Sequence, residues 1–363
     1  MTRLHDLFEQ QGQSPWLDNL RRGWITSGEL ARWVEEGVRG LTSNPSIFEK
    51  AIGGSADYDE EFGDLVRGGT SVEASYWQLV SSDIASALDI LRPVHEASRG
   101  VDGFVSVEVD PGLARDTEGT IAAARALAVR LDAPNLYIKI PGTAEGLPAI
   151  RQMLGEGCSI NVTLLFSLKR YAEVIEAYLS GLEAATGDLS TISSVASFFI
   201  SRTDTAVDQR LEAIGSPVAL ALKGKTAVAQ GQLAYELFTE AFRGKRWEAL
   251  QARGARVQRP LWASTSTKNP TYPDTLYVDD LIGPDTVNTL PDATLEAFVD
   301  HGTIARSVDA HVGGARQILA EVQAVGVDLD EVAASLEAEG VASFKKSFDD
   351  LLATLALKAE AFA

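Results

Sequence analysis

Leu136-Tyr137-Ile138-Lys139-Ile140-Pro141-Gly142-Thr143 begins as an apolar run and ends on a Pro-Gly pair that stops strands. The run suits a buried strand, and Lys139 interrupts it. Strand side chains alternate between faces, so Lys139 points away from Ile138 and Ile140. If the two isoleucines pack against helices, the lysine faces the interior of a barrel. A lysine there is costly unless neutral or paired. The neutral amine is a nucleophile toward carbonyls. A structural lysine paired with a barrel carboxylate, or one at the strand mouth, explains the segment equally well.

Similar apolar runs recur on both sides. They are Trp16–Leu20, Gly37–Thr42, Gly103–Val109, Ser159–Phe166, Thr191–Phe199, Pro260–Ser264 and Thr275–Asp279. Between them lie helical stretches such as Tyr171–Ala185 and Ala227–Phe242, with apolar residues three or four apart. Strands alternating with helices imply βαβ units and a parallel sheet. About eight strands favour a closed (β/α)8 barrel over an open sheet, and a barrel of about 250 residues with extra helices fits a chain of 363. The expected organisation is one barrel domain over 1–363, with helices and no further strand from about residue 300. In such barrels the active site lies at the C-terminal ends of the strands.

Several polar residues are candidates on that rule. In Gly103–Asp110, Ser106, Glu108 and Asp110 share one face, and Glu108 is an inward carboxylate able to move protons or pair with Lys139. In Ser159–Phe166, Asn161 and Thr163 share a face. Asp18 follows Trp16-Leu17, where it suits a helix N-cap as well as a site. Asn44 before Pro45 also reads as a cap followed by proline at the first helical position. Arg202 and Lys268 each follow an apolar strand, where a barrel holds its ligand, although lone cations are more often surface charges. Gly224-Lys225-Thr226 mimics the end of a phosphate-binding P-loop, but Ala219 stands where that pattern needs glycine.

Composition narrows the partners. A net charge of −19 opposes binding to nucleic acid and to anionic membranes. Any phosphate ligand therefore needs a local cationic pocket. The single cysteine, Cys158, permits no internal disulfide and reads as a small buried residue beside a strand. The four histidines are scattered without metal-ligand spacing, so no metal is expected. Neither a signal segment nor a membrane span is legible, which makes the cytoplasm the expected location.

Taken together, Leu-Thr-Ser-Asn-Pro-Ser (41–46), Val-Ser-Val-Glu-Val (105–109), Tyr-Ile-Lys-Ile-Pro-Gly-Thr (137–143), Ile-Asn-Val-Thr-Leu-Leu-Phe-Ser (160–167) and Ser-Phe-Phe-Ile-Ser-Arg (197–202) resemble the transaldolases, in the family's order. The likeness runs from near Asp18 to about Gly302, and Trp262–Pro270 and Tyr277–Pro291 look like the longer bacterial branch. The resemblance implies a (β/α)8 barrel with a catalytic aspartate on its first strand. It implies Lys139 as the Schiff-base lysine, Asp18 as acid/base for carbon–carbon cleavage, and Glu108 and Thr163 as proton carriers through a water. Thr42, Asn44 and Asn161 would hold substrate hydroxyls or the imine. Ser197, Arg202, Ser264 and Lys268 would bind the far end of the substrate and its phosphate.

The implied activity is transfer of a dihydroxyacetone unit between sugar phosphates in the non-oxidative pentose phosphate pathway, without a cofactor. A homo-oligomer is compatible with it. The sequence departs from the family's better-known branch in having Phe198 and Ser201 where that branch has proline and glycine. It also offers Lys268, four residues past Ser264, where that branch has an arginine close after the serine. Two other functions suit the same scaffold: an aldolase acting on fructose 6-phosphate, and a non-catalytic sugar-phosphate binder. Glu108 and the longer chain lean toward transfer, and Lys139, Asp18 and Glu108 together argue against a binder.

Overall fold

The computed structural model describes residues 2–362. Eight parallel strands close in sequence order: β1 Gln13–Leu17, β2 Gly40–Thr42, β3 Phe104–Glu108, β4 Leu136–Pro141, β5 Ile160–Leu165, β6 Ser194–Phe199, β7 Arg259–Ala263 and β8 Thr286–Leu290. β8 pairs with β1 from Gln13↔Thr286 to Leu17↔Leu290, which seals the ring. Helices link the strands around the outside, giving a (β/α)8 barrel.

The two strand faces divide the core. Outward residues, including Leu41, Val107, Ile138, Ile140, Val162 and Trp262, join one large apolar cluster with the surrounding helices. Inward residues Trp16, Phe104, Tyr137, Val195, Leu261 and Val287 form a second cluster that plugs the barrel. Phe104 and Tyr137 stack with centroids 4.1 Å apart. Gly40 leaves room for the Trp16 indole, because a Cβ there would lie 2.4 Å from its ring. Below the plug, Asp102 is fully buried and accepts from Ser14, Trp16 Nε1, Arg39 and Arg259. Burial opposes its charge, but Arg259 and Arg39 hold its carboxyl below the ordinary value. The bottom is thus sealed, and polar chemistry is left to the other end.

One expected strand is absent. Thr275–Asp279 contributes a short helix, Leu276–Asp279, and the eighth strand lies further on at Thr286–Leu290. Pro270 and Pro273 precede the helix, and the Thr275 hydroxyl closes its turn by donating to Asp279 at 2.9 Å. The first strand also sits earlier than expected, at Gln13–Leu17, so Asp18 lies just past its end. The backbone N–H of Asp18 still donates to the Leu290 carbonyl at 2.9 Å and continues the ladder. Cys158 is half-buried beside β5.

After residue 300 the chain is helical, with helices Val312–Ala324 and Leu329–Phe362. The last helix runs 34 residues across the C-terminal mouth of the barrel. Glu337 reaches Arg115 at 3.1 Å and Arg170 at 3.6 Å. Ser347 bonds Ser46 at 2.8 Å, and Phe348 packs edge-on against Tyr76. Among the described residues no helix is long and apolar enough to cross a membrane.

Candidate active site

Above the aromatic plug lies a polar belt. Glu108 on β3 and Lys139 on β4 are register partners, 5% and 4% exposed. Lys139 Nζ stands 3.5 Å from Glu108 Oε2 and donates to the Ser43 carbonyl at 3.1 Å. Among the described residues Lys139 is the only buried lysine. Among the described residues neither Glu108 oxygen has a hydrogen-bond partner. Burial pushes the Glu108 carboxyl up to about 7, against the opposing pull of Lys139. A carboxyl that exchanges its proton near neutrality is suited to acid/base work.

Asn161, paired with Lys139 in register, donates to Ser106 at 3.0 Å and accepts from Ser197 at 2.7 Å. This chain of polar groups fixes the amide orientation. It also commits the Ser197 hydroxyl to Asn161. Two residues further along β5, Thr163 is fully buried, and its hydroxyl has no partner among the described residues. The register with β6 shifts between Val162 and Leu165, and Leu164 adopts a left-handed φ of 61°. Bulges of this kind redirect side chains near active sites, and a leucine at positive φ is a genuine outlier.

Asp18 is half-buried and accepts from Thr42 Oγ1 at 2.8 Å. Thr42 also meets Thr289 at 2.6 Å. Its single proton serves Asp18, so Thr289 is the donor in that second contact. Desolvation raises the Asp18 carboxyl above its ordinary value, with Lys139 and Thr42 opposing. The helix-cap reading of Asp18 is excluded, because the next helix begins at Arg22 with Arg21 at the cap position. Asn44 does cap its helix, accepting from Ile47 N at 3.0 Å with Pro45 following. That bond uses Oδ1, and Asn44 also lines the cavity of the site.

Asp18, Thr42, Asn44, Lys139, Ser197, Arg202, Ser264 and Lys268 all open on one cavity of ≈ 290 Å³. Glu108, Asn161 and Thr163 are buried in the adjoining strands β3 and β5. Arg202 sits in the first turn of the helix Ser201–Ile214 and lies over the Phe199 ring at 5.1 Å. Burial lowers its pKa from the ordinary value, with Asp18 and Glu339 opposing. Ser264 has a left-handed φ of 55° and its hydroxyl lies 3.0 Å from that of Ser201. Lys268 donates to Ser266 at 2.6 Å. Burial, then Arg202 and Lys50, lower its pKa.

Sequence reasoning missed Lys50, which lines the same cavity. Ser46 and Lys50 are one turn apart on the helix Pro45–Gly53, and that spacing beyond Asn44 is the signal that could have found it. It also missed Thr289, because β8 was misplaced, and Phe344, which the last helix brings to the cavity. Arg202, Lys50 and Lys268 form no ion pair among the described residues and converge on one cavity in a chain of net charge −19.

A buried lysine beside carboxylates, at the C-terminal mouth of a (β/α)8 barrel and below a cluster of cations, defines a barrel enzyme equipped for amine–carbonyl chemistry on an anionic substrate. The comparisons agree with that class. The family model described as transaldolase/fructose-6-phosphate aldolase matches residues 15–355. A transaldolase of Thermobifida fusca is 54% identical over 346 residues, covering 94% of both chains. One of Frankia alni is 51% identical over 350 residues, covering 95% of this chain and 94% of the relative. Transaldolase 1 of Streptomyces coelicolor is 49% identical over 352 residues, covering 95% and 92%. The chain belongs to the transaldolase/fructose-6-phosphate aldolase family.

Proposed function

We propose that this transaldolase-type enzyme moves a dihydroxyacetone unit from a ketose phosphate, sedoheptulose 7-phosphate or fructose 6-phosphate, to an aldose phosphate through a Schiff base on Lys139. The observation that carries the reading is the pairing with Glu108 of Lys139, the only buried lysine among the described residues, which opens on the same cavity as Asp18. The neutral Lys139 amine adds to the ketone carbon. Glu108 and Thr163, relaying protons through a water, protonate the departing hydroxyl, and loss of water leaves an iminium ion. Asp18 takes the proton from the hydroxyl one carbon beyond the scissile bond. The bond electrons flow to the iminium nitrogen, an aldose phosphate leaves, and a neutral enamine stays on Lys139. A second aldose phosphate enters, the enamine carbon attacks its aldehyde, and Asp18 returns the proton to the new hydroxyl. Hydrolysis then frees the lysine.

Asn44 and Asn161 are assigned to substrate hydroxyls and the imine, and Thr42 to holding Asp18. Arg202, Lys268 and Ser264 are assigned to the phosphate, and the placement of Lys50 supports adding it to them. The enzyme works as one barrel unit in the cytoplasm. The test is a coupled assay with fructose 6-phosphate, run with and without erythrose 4-phosphate. Turnover that requires the acceptor supports transfer, and equal turnover without it identifies an aldolase. Borohydride trapping with fructose 6-phosphate distinguishes either enzyme from a binder.

A further inference from the structure

The loop after β7 brings Ser264, Ser266 and Lys268 to the cavity, while Arg202 comes from the helix Ser201–Ile214. These two elements are joined away from the cavity. Asp204 and Asp208, one turn apart on that helix, are 1% and 8% exposed. Tyr272 donates to Asp208 Oδ2 at 2.6 Å, and Gly224 N donates to its other oxygen at 2.9 Å. One turn earlier, Tyr277 donates to Asp204 Oδ2 at 2.9 Å and Ala227 N donates to Oδ1 at 2.7 Å. Each carboxylate thereby accepts from a tyrosine of the segment after β7 on one oxygen and from a backbone amide on the other. Gly224, at φ +71°, makes room for this arrangement, since a Cβ there would lie 2.7 Å from the Tyr272 ring.

The tie lies close to the cation. Asn269 to Thr271 alone separate Lys268 from Tyr272, and they are folded into a turn by Tyr272 N→Asn269 O and Thr271 N→Asn269 Oδ1. Thr267 adds a bond across the loop to Pro273 O at 2.9 Å. Two cations on separate elements repel one another in the free enzyme, and nothing in the cavity wall pairs Lys268 with a carboxylate among the described residues.

We propose that Tyr272 is a positioning residue: its hydrogen bond to Asp208 docks the Lys268 loop on the Arg202 helix and sets the spacing of the two cations that grip the substrate phosphate. The inference rests on the assignment of Arg202 and Lys268 to phosphate. Asp208 serves as the anchor, and Tyr277 with Asp204 forms a deeper, more buried duplicate of the tie.

Tyr272→Phe keeps the ring against Gly224 and removes only the donor. The expected result is a KM for fructose 6-phosphate raised about five- to ten-fold, kcat within about two-fold, and kcat/KM for unphosphorylated fructose unchanged. In a Lys268→Ala background Tyr272→Phe should add nothing further, because it acts through that lysine. Additive losses in the double variant, or equal losses on both substrates, overturn the proposal. So does an unchanged KM in Tyr272→Phe when Lys268→Ala raises it. An unchanged KM in Lys268→Ala itself defeats the phosphate assignment instead. Asp208→Asn, which leaves one acceptor for two donors, should give the same KM-selective loss and covers the case of a poorly folding Tyr272→Phe.

Discussion

Lys139 Nζ lies 3.5 Å from the Glu108 carboxylate yet gives its hydrogen bond to the Ser43 carbonyl. The two groups are therefore held within reach without being locked as a tight ion pair, whose charge-assisted bond would be shorter. An amine held this way can be released for attack. Lys139→Met keeps the length and apolar stem of the side chain within a packed barrel. The expected outcome is a folded protein without turnover and without a borohydride adduct on fructose 6-phosphate. Mass spectrometry of the reduced wild-type protein should place the adduct on Lys139. An adduct on Lys223 or Lys225 would sink the mechanism.

The raised carboxyl of Glu108 gives a pH signature with a definite sign. Its pKa stands at about 7 against an ordinary 4.5, so the folded state holds this proton more tightly than the unfolded state. The associated stability is fully present below 4.5 and is lost as pH rises through about 7. Glu108→Gln removes that dependence. The difference in Tm, variant minus wild type, should therefore increase between about pH 5 and pH 8, as read by thermal melts in matched buffers. A difference that stays flat would mean that Glu108 is ionised throughout. The same variant should lose the limb near neutrality in its kcat/KM profile.

On the proposed mechanism, Asp18→Ala should separate imine formation from bond cleavage. Lys139 and Glu108 remain, so the ketose adduct should form and accumulate. A missing general base typically costs about 10²–10⁴-fold in rate. Rapid-quench trapping should show more reduced ketose adduct per enzyme than in the wild type, with turnover depressed. Near-normal turnover would leave Asp18 no role beyond accepting from Thr42.

Much of this was legible from alternation alone. Lys139 between Ile138 and Ile140, and Glu108 between Val107 and Val109, announce their faces because a strand buried on both sides leaves only the inward positions open to polar residues. β8 was not legible for the converse reason. Its outward face carries Thr286 and Asn288 and its inward face Thr289, and Asn288 is buried by donating to the Tyr277 carbonyl rather than by being apolar. The more apolar Thr275–Asp279 competed for the assignment, although the prolines before it and the Thr275–Asp279 bond turn it into a helix. Lys50 and Phe344 reach the cavity from helices far apart in sequence, and only the crossing of the last helix over the mouth brings the second of them in.

That crossing makes a further variant informative. Gly340 on the last helix faces Leu164 and Arg202. A Cβ there would lie 2.9 Å from Leu164 Cδ2 and 3.6 Å from Arg202 Nη1. Alanine can be accommodated by a small shift of the Leu164 tip, whereas leucine would have to displace the Arg202 guanidinium or lift the helix. Gly340→Ala should stay within about two-fold of wild type, and Gly340→Leu should raise the KM for fructose 6-phosphate with a smaller effect on kcat. Equal kinetics for the two variants would show that the helix is not seated on Arg202 during turnover.

The cations themselves yield the last prediction. At long range a net charge of −19 repels a sugar phosphate, so the proposed function assigns its affinity to Arg202, Lys50 and Lys268 at close quarters. Arg202 is the most buried of the three and offers a planar pair of donors, whereas each lysine acts as a point charge. A hydrogen bond to a charged group is worth about 1.5–3 kcal/mol. Arg202→Ala should therefore raise the KM for fructose 6-phosphate by about ten- to a hundred-fold. Lys268→Ala and Lys50→Ala should raise it by smaller factors. None of the three should change kcat/KM for unphosphorylated fructose in proportion, because the proposed assignment places the lost interaction on the phosphate alone. Raising the ionic strength should weaken the lysine contributions first, since the exposed ammonium groups are screened more than the desolvated guanidinium. The deciding measurement is kcat/KM for fructose 6-phosphate against fructose in each variant at low and high salt. Parallel losses on both substrates would assign these residues to holding the barrel mouth together, and a loss confined to the phosphorylated sugar assigns them to the phosphate.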